Sequence, residues 1–316
     1  MSNKFKVLDY DIIYLSYDEP NAEQNYADLC SKIPWAKRVH GVKGSDAAHK
    51  ACAELSESDR FITIDGDNII NKDFLSKEFD LDNHEDAHWN KEVNLDDCVI
   101  SWSAKNIING LEYGNGGIKC WPKKKVLNMR THENADPNNP HAQVDFCWDI
   151  EYIQMTSCYS TIMNNGSPQQ AWRAGFREGV KMALDRGMRV NTEDFYKNWW
   201  QNLHRLYIWL MVGADVENGK WAIYGAREGL YKTMCTDWDF VNVRDFDYLN
   251  DYWINEVESK VSMDGLEDSI EDYGIKLINE LDLPIAEECL TAQQSKFFKT
   301  VYINPDRVAK RRTNVV

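Results

Sequence analysis

The stretch RFITIDGDNII, Arg60 to Ile70, decides how the first half of the chain is read. Arg60–Ile64 has the apolar, β-branched character of a buried strand, and it runs straight into Asp65-Gly66-Asp67. Two carboxylates one glycine apart repel each other when both are ionised. A divalent cation turns that repulsion into binding energy, and all-oxygen ligation favours Mg2+ or Mn2+ over zinc. Gly66 allows the backbone to turn tightly between them. An Asp-Gly pair is also a common surface turn, so the motif draws its weight from its place at a strand end.

Working outward, DIIYLSYDEP begins as a strand over Asp11–Leu15 and leaves into a polar loop. Asn21 with Gln24 three residues on marks a helix start, with the helix running to about Ser31. KRVHGV is a second short strand, and Ser45 is a candidate cap for a helix through about Leu55. The order strand, helix, strand, helix, strand predicts an α/β fold with a doubly wound, mostly parallel sheet, whose ligands bind beyond the carboxyl ends of the strands. Further on, 79–97 reads as an acidic loop, CVISWSA (98–104) as a strand, and YGNGGIKCWP as a glycine loop entering a short strand. Pro122 suits the first turn of a brief helix. RTHENADPNNPHAQ (130–143) is rich in turn formers and reads as a flap, and VDFCWDIEYI returns to strand character.

From Ser167 the texture becomes helical. SPQQ supplies a Ser cap, Pro at the first helical position and Gln three residues after the cap. The helix it opens is expected to end at Gly187 and carries the apolar stripe Trp172, Phe176, Val180, Ala183. TEDFYKNWWQNLHRLYIWLMV reads as a second helix, and helical pattern continues to about residue 300, before the basic tail RVAKRRTNVV. The expected division is 1–165 for the α/β part and 166–316 for a mainly helical part.

The 316 residues, 43% of them hydrophobic, suffice for a sizeable core. The net charge of −15 weighs against a protein whose main task is gripping nucleic-acid phosphates. There is no run of eighteen apolar residues and no long apolar leader after MSNKFKV, so neither a membrane span nor a secretory signal is expected. The eight cysteines include no C-x-x-C pair and read as buried thiols, which implies a reducing, cytoplasmic setting.

LSYDEPN after the first strand, GVKGSDAAHKACAE before the third, TIDGDN, and INGLEYGNGGIKCWP together resemble the nucleotide-sugar-dependent glycosyltransferases of the GT-A type, over roughly residues 8–165. With QAWRAGFREGVKM added, the chain is similar, to about residue 250, to glycosyltransferase-like proteins encoded by tailed phages. The resemblance implies a GT-A, Rossmann-like domain, a UDP-linked sugar donor, and Mn2+ or Mg2+ held by Asp65 and Asp67, with Asp67 the more direct ligand. It also implies a further ligand from a later segment, for which His141 is the candidate, with His132 and His204 as alternatives. Ser16, Tyr17, Asp18 and Glu19 fall where the family holds base and ribose, and Gly116 and Gly117 where it approaches the donor sugar.

Other candidates rest on chemistry. The helix start at Gly44-Ser45, with His49 and Lys50, suits an anion, against a packing role for His49. Asn115 can bond sugar hydroxyls, and Lys105 and Asn106 are candidates for the same pocket. In inverting enzymes of the GT-A type a carboxylate near the end of the α/β region is the base, and the resemblance implies Asp145 for it, with Asp149 and Glu151 as rivals on the same strand face. Arg173, Arg177 and Lys181 recur every four residues and form either a diphosphate-neutralising stripe or a solvated face paired with Glu178 and Asp185. Trp102, Trp121 and Trp148 are candidates for stacking on sugars, or are core. The acceptor is open between modified DNA, a protein and a glycan. Two other functions fit the same motifs: a nucleotidyltransferase or nucleotide-sugar pyrophosphorylase, and a non-catalytic sugar-nucleotide-binding module.

Overall fold

β2 (Asp11–Ser16) and β4 (Arg60–Asp65) are apolar on both faces because both faces are covered. The computed structural model describes residues 4–80, 87–88, 96–138 and 151–303. On one side of the sheet Ile12, Tyr14, Ile62 and Ile64 pack with Leu29 of α1 (Ala22–Lys32) and with Phe5 and Phe79. The last two come from a small ribbon formed by β1 (Lys4–Lys6) and β6 (Glu78–Asp80). On the other side Ile13, Phe61 and Trp121 pack with Cys52 and Ala53 of α2 (Ser45–Leu55) and Val126 of α3 (Lys123–Asn128). By strand alternation Thr63 and Asp65 share this second face.

The eight-stranded sheet adds β3 (Lys37–His40), β5 (Asn68–Ile70), β7 (Ala87–His88), β8 (Val99–Asn106), β9 (Glu112–Pro122) and β10 (Tyr152–Ile162). Its order is β3-β2-β4-β9-β8-β10-β5, with β7 also on β10. The strand–helix–strand alternation expected for residues 11–65 is present, and β3, β2 and β4 are parallel. The expectation of a mostly parallel sheet is corrected. β9 runs antiparallel to both β4 and β8, β10 is parallel to β8, and β5 and β7 are antiparallel to β10. YGNGGIKCWP is the cause: it is most of the eleven-residue β9, not a loop, and its short turn from β8 through residues 107–111 forces antiparallel pairing.

The helical region follows β10. Ser167 caps α4 (Pro168–Ala183) by accepting from Gln170 N at 3.1 Å, and Gln170 Oε1 reaches back to Gly166 N at 2.8 Å. The helix stops at Ala183, before Arg186 and Gly187, which both have positive φ. The segment read as one second helix is a 3-10 turn, Thr192–Lys197, followed by α5 (Trp200–Met211). α6 (Gly219–Cys235), α7 (Phe246–Tyr252), α8 (Leu266–Leu281) and α9 (Ala292–Val301) complete it. Its core also takes Ile108, Leu111 and Tyr113 from the β8–β9 connection, so the apolar interior continues across residue 165. Among the described residues no helix is long and apolar enough to cross a membrane, and the seven described cysteines are free thiols.

α4 and α6 touch backbone to backbone. A Cβ at Gly175 or Gly179 would strike the carbonyl oxygens of Ala222 and Ala226, and one at Gly225 or Gly229 those of Trp172 and Phe176. Beside this seam Glu228 is buried and accepts from Trp172 Nε1 (2.9 Å) and Tyr252 OH (2.7 Å). The fully buried Arg227 donates to the carbonyls of Leu210, Ile270, Ala286, Glu287 and Glu288. Because no side chain can be inserted at the seam without moving a helix, Gly179→Ala is expected to lower stability by about 2–3 kcal/mol, read from the urea midpoint.

Candidate functional site

The Asp65-Gly66-Asp67 turn sits at the carboxyl end of β4, beside the carboxyl end of β2. Its middle is fixed from below. Asn25 Nδ2 donates to the Gly66 carbonyl at 3.0 Å, and the Tyr14 hydroxyl lies 2.5 Å from it. Its far side is fixed by pairing: Met163 N donates to Asp67 O at 2.6 Å, and Asn68 Nδ2 to the Asp67 carboxylate at 2.7 Å. Glu19 comes in from the β2–α1 loop. A Cβ on Gly66 would meet its Oε2 at 2.6 Å, so only glycine leaves room for that carboxylate.

Three carboxylates thus crowd one turn, and their protons respond. Burial, then Asp65 and Glu19, push Asp67 up to about 7. Burial also raises Glu19, although the Tyr17 amide donates to it at 2.8 Å. Asp65 is raised by burial and held back by Lys119, whose Nζ lies 3.6 Å from Oδ2.

The sequence candidates separate into those this turn gathers and those engaged elsewhere. Ser16 lies next to the turn, and its Oγ is 2.9 Å from His40 Nδ1 and 3.3 Å from Arg38 Nε. Tyr17 is half-buried, its ring 6.4 Å from that of Phe246 and its hydroxyl 3.4 Å from Asp247 Oδ1. Asp18 receives both arms of Arg173, at 2.8 and 2.9 Å, and is held below the usual carboxylate range by that guanidinium despite its burial. Arg173 and Arg177 both lie over the Phe246 ring, 4.6 and 4.8 Å from its centre, and Arg177 donates to Val243 O at 2.6 Å. Lys181 pairs with Glu178 at 3.0 Å. The basic stripe is therefore spent within the chain, joining the β2–α1 loop to the helical region.

The start of α2 is likewise engaged. The Glu133 carboxylate accepts from Asp46 N (3.2 Å) and Ala47 N (2.9 Å) and lies against Gly44. Lys50 pairs with the fully buried Asp46 at 2.6 Å. His49 Nδ1 lies 2.7 Å from Ser45 O, its ring packs edge-on to Trp121, and burial lowers it to about 4, so it is neutral near pH 7. Trp102 and Trp121 are core. Lys105 is exposed on β8, and Asn106 Oδ1 closes the turn to Ile108 N at 2.9 Å. Asn115 and Gly116 lie within β9, and a Cβ on Gly117 would meet Ser160 Oγ and Asn68 Oδ1 at 2.5 and 2.6 Å.

His141, Asp145, Trp148 and Asp149 lie outside the described residues, while Glu151 is exposed at the start of β10. Neither His132, buried beside Glu133, nor His204, 3.1 Å from the Tyr302 hydroxyl, joins the acid pair. Among the described residues no three His, Cys, Asp or Glu side chains form a ready-made metal cage. The donors do fit a hard cation: two carboxylates on one turn, one of them pushed up to about 7 by burial and its acidic neighbours. The sequence reading missed Lys119, Glu133 and the placing of Glu19 on Gly66. A lysine inside the apolar run GIKCWP was the available signal for the first. No family model matches the chain, and no curated protein matches it.

The raised Asp67 has a consequence for stability. Its folded pKa lies above the unfolded value near 4, so between about pH 4 and 7 the folded state holds the extra proton and stability falls as pH rises. Asp67→Asn is expected to raise the melting midpoint of the metal-free chain by roughly 2–4 °C at pH 8 and to change it little at pH 4. Thermal melts at the two pH values check this.

Proposed function

We propose that the chain is a divalent-cation-dependent glycosyltransferase of the GT-A type that draws its sugar from a nucleoside diphosphate sugar. The observation that supports it most is the carboxylate pair Asp65 and Asp67 on a pinned turn at the carboxyl end of a parallel strand, where an α/β sheet offers its ligand crevice. The choice of UDP and of a sugar donor rests on the resemblance carried by LSYDEPN, TIDGDN and GNGGIKCWP.

In this reading Asp65 and the deprotonated Asp67 would hold Mn2+ or Mg2+. When bound, that ion would supply positive charge to the diphosphate as it leaves the anomeric carbon. Ser16 and Tyr17 border the nucleotide side. Asp18 takes no part in the chemistry; it anchors that border to Arg173. Burial, then Asp65 and Glu19, raise Asp67, so capture of a cation there would release a proton. His141 as a further ligand and Asp145 as the base toward an acceptor hydroxyl complete the proposal. The acceptor is a modified DNA base, a protein or a glycan.

The test is a screen of nucleotide sugars with Mn2+, following release of UDP with and without candidate acceptors. Metal-dependent UDP release is expected, falling at least about a hundredfold in Asp67→Ala with the fold retained by circular dichroism. Pyrophosphate in place of UDP assigns a nucleotidyltransferase instead, and binding without turnover a carrier module. Full activity in Asp67→Ala removes the metal assignment.

A further inference from the structure

Lys119 approaches the acid pair from inside the sheet. β9 carries it between Thr63 of β4 and Ser101 of β8, on the same face as Asp65. It is 8% exposed. Its Nζ is 3.6 Å from Asp65 Oδ2, a long contact through which Lys119 holds the Asp65 carboxyl down against its burial. Ser101, its cross-strand neighbour, is completely buried and its hydroxyl has no hydrogen-bond partner among the described residues. A buried ammonium with one long ion pair is an expensive arrangement to retain for packing alone. Asp65, its partner, keeps about a third of its side chain open (31%), so the pair borders accessible space. No other cation among the described residues forms an ion pair with Asp65 or Asp67.

We infer that Lys119 is a positioning residue that makes divalent-cation binding at Asp65 and Asp67 depend on a diphosphate. This rests on the glycosyltransferase reading above. A doubly charged ion that takes Asp65 withdraws the one ion-pair partner Lys119 has among the described residues and adds positive charge a few ångströms from it. The ion alone therefore binds against a buried like charge. Diphosphate oxygens reverse both costs: they offset the added charge and offer Lys119 closer acceptors than the Asp65 carboxylate at 3.6 Å. Ion and nucleotide then each tighten the other by the same factor. A turn made of Asp65, Asp67 and Glu19 without the lysine would take up the ion more readily on its own and keep only the smaller coupling that direct ligation of the diphosphate supplies.

The experiment titrates Mn2+ into the full chain by electron paramagnetic resonance, with no UDP and with saturating UDP, for the wild type, Lys119→Met and Lys119→Arg. In the wild type UDP is expected to tighten Mn2+ by about tenfold or more. Lys119→Met is expected to bind Mn2+ alone several-fold more tightly than the wild type and to lose most of the UDP effect, while Lys119→Arg keeps it. Lys119→Gln replaces the Met variant if that one does not fold. Unchanged Mn2+ affinity and unchanged coupling in the neutral variant overturn the role of Lys119 and leave the wider reading standing. A wild type that binds Mn2+ neither alone nor with UDP overturns both.

Discussion

Like charges on neighbouring residues drive apart unless the backbone between them is held, and here the backbone is held at Gly66. Tyr14 and Asn25 secure its carbonyl from within the core, and Met163 and Asn68 secure Asp67 from the β5–β10 side. The missing side chain at Gly66 admits Glu19, which makes the repulsion worse. A turn that served only to connect β4 to β5 would gain nothing from a third carboxylate. A turn that captures a cation gains affinity and a proton to exchange. The local sequence, the packing beneath it and the proposed chemistry meet at this one residue.

The helical region bears on the site through the same loop that delivers Glu19. Asp18, one residue earlier, is clasped by Arg173 of α4, with Asn250 of α7 completing the contact. The Phe246 ring lies under the guanidiniums of both Arg173 and Arg177 and beside the Tyr17 ring. α4 in turn cannot shift along α6, because their glycines place backbone against backbone. The position of the β2–α1 loop is thus tied to this close-packed helix pair. Of the stripe's residues, Arg173 makes this link to the loop, Arg177 donates to Val243 O and Lys181 pairs with Glu178.

What could be read from the sequence was local. The strand ending in Asp65, the Ser167 cap with Pro168 and Gln170, and the order of elements from 11 to 65 follow from patterns within a few residues. β9 was misread because Gly114, Gly116 and Gly117 look like a loop; they are tolerated in a strand because Gln154, Ser160 and Asn68 press on Gly114 and Gly117 from neighbouring strands. That single misreading carried the sheet from mixed to mostly parallel. The partners of Gly44, Lys119 and Arg173 lie 54 to 155 residues away along the chain, at Glu133, Asp65 and Asp18, and no period or spacing announces them. The cap on α2 shows the consequence: its free amides looked like an anion site, and the anion is the protein's own.

The central claim is that Asp65 and Asp67 are kept together for a cation shared with a nucleotide diphosphate. Crystals grown with Mn2+ and UDP, measured at the manganese absorption edge, test it most directly. An anomalous peak within about 2.3 Å of oxygens from both carboxylates, with the diphosphate beside it, is the predicted result. A map with no peak at this turn, or with manganese bound elsewhere and UDP absent from the β2 and β4 ends, would contradict it.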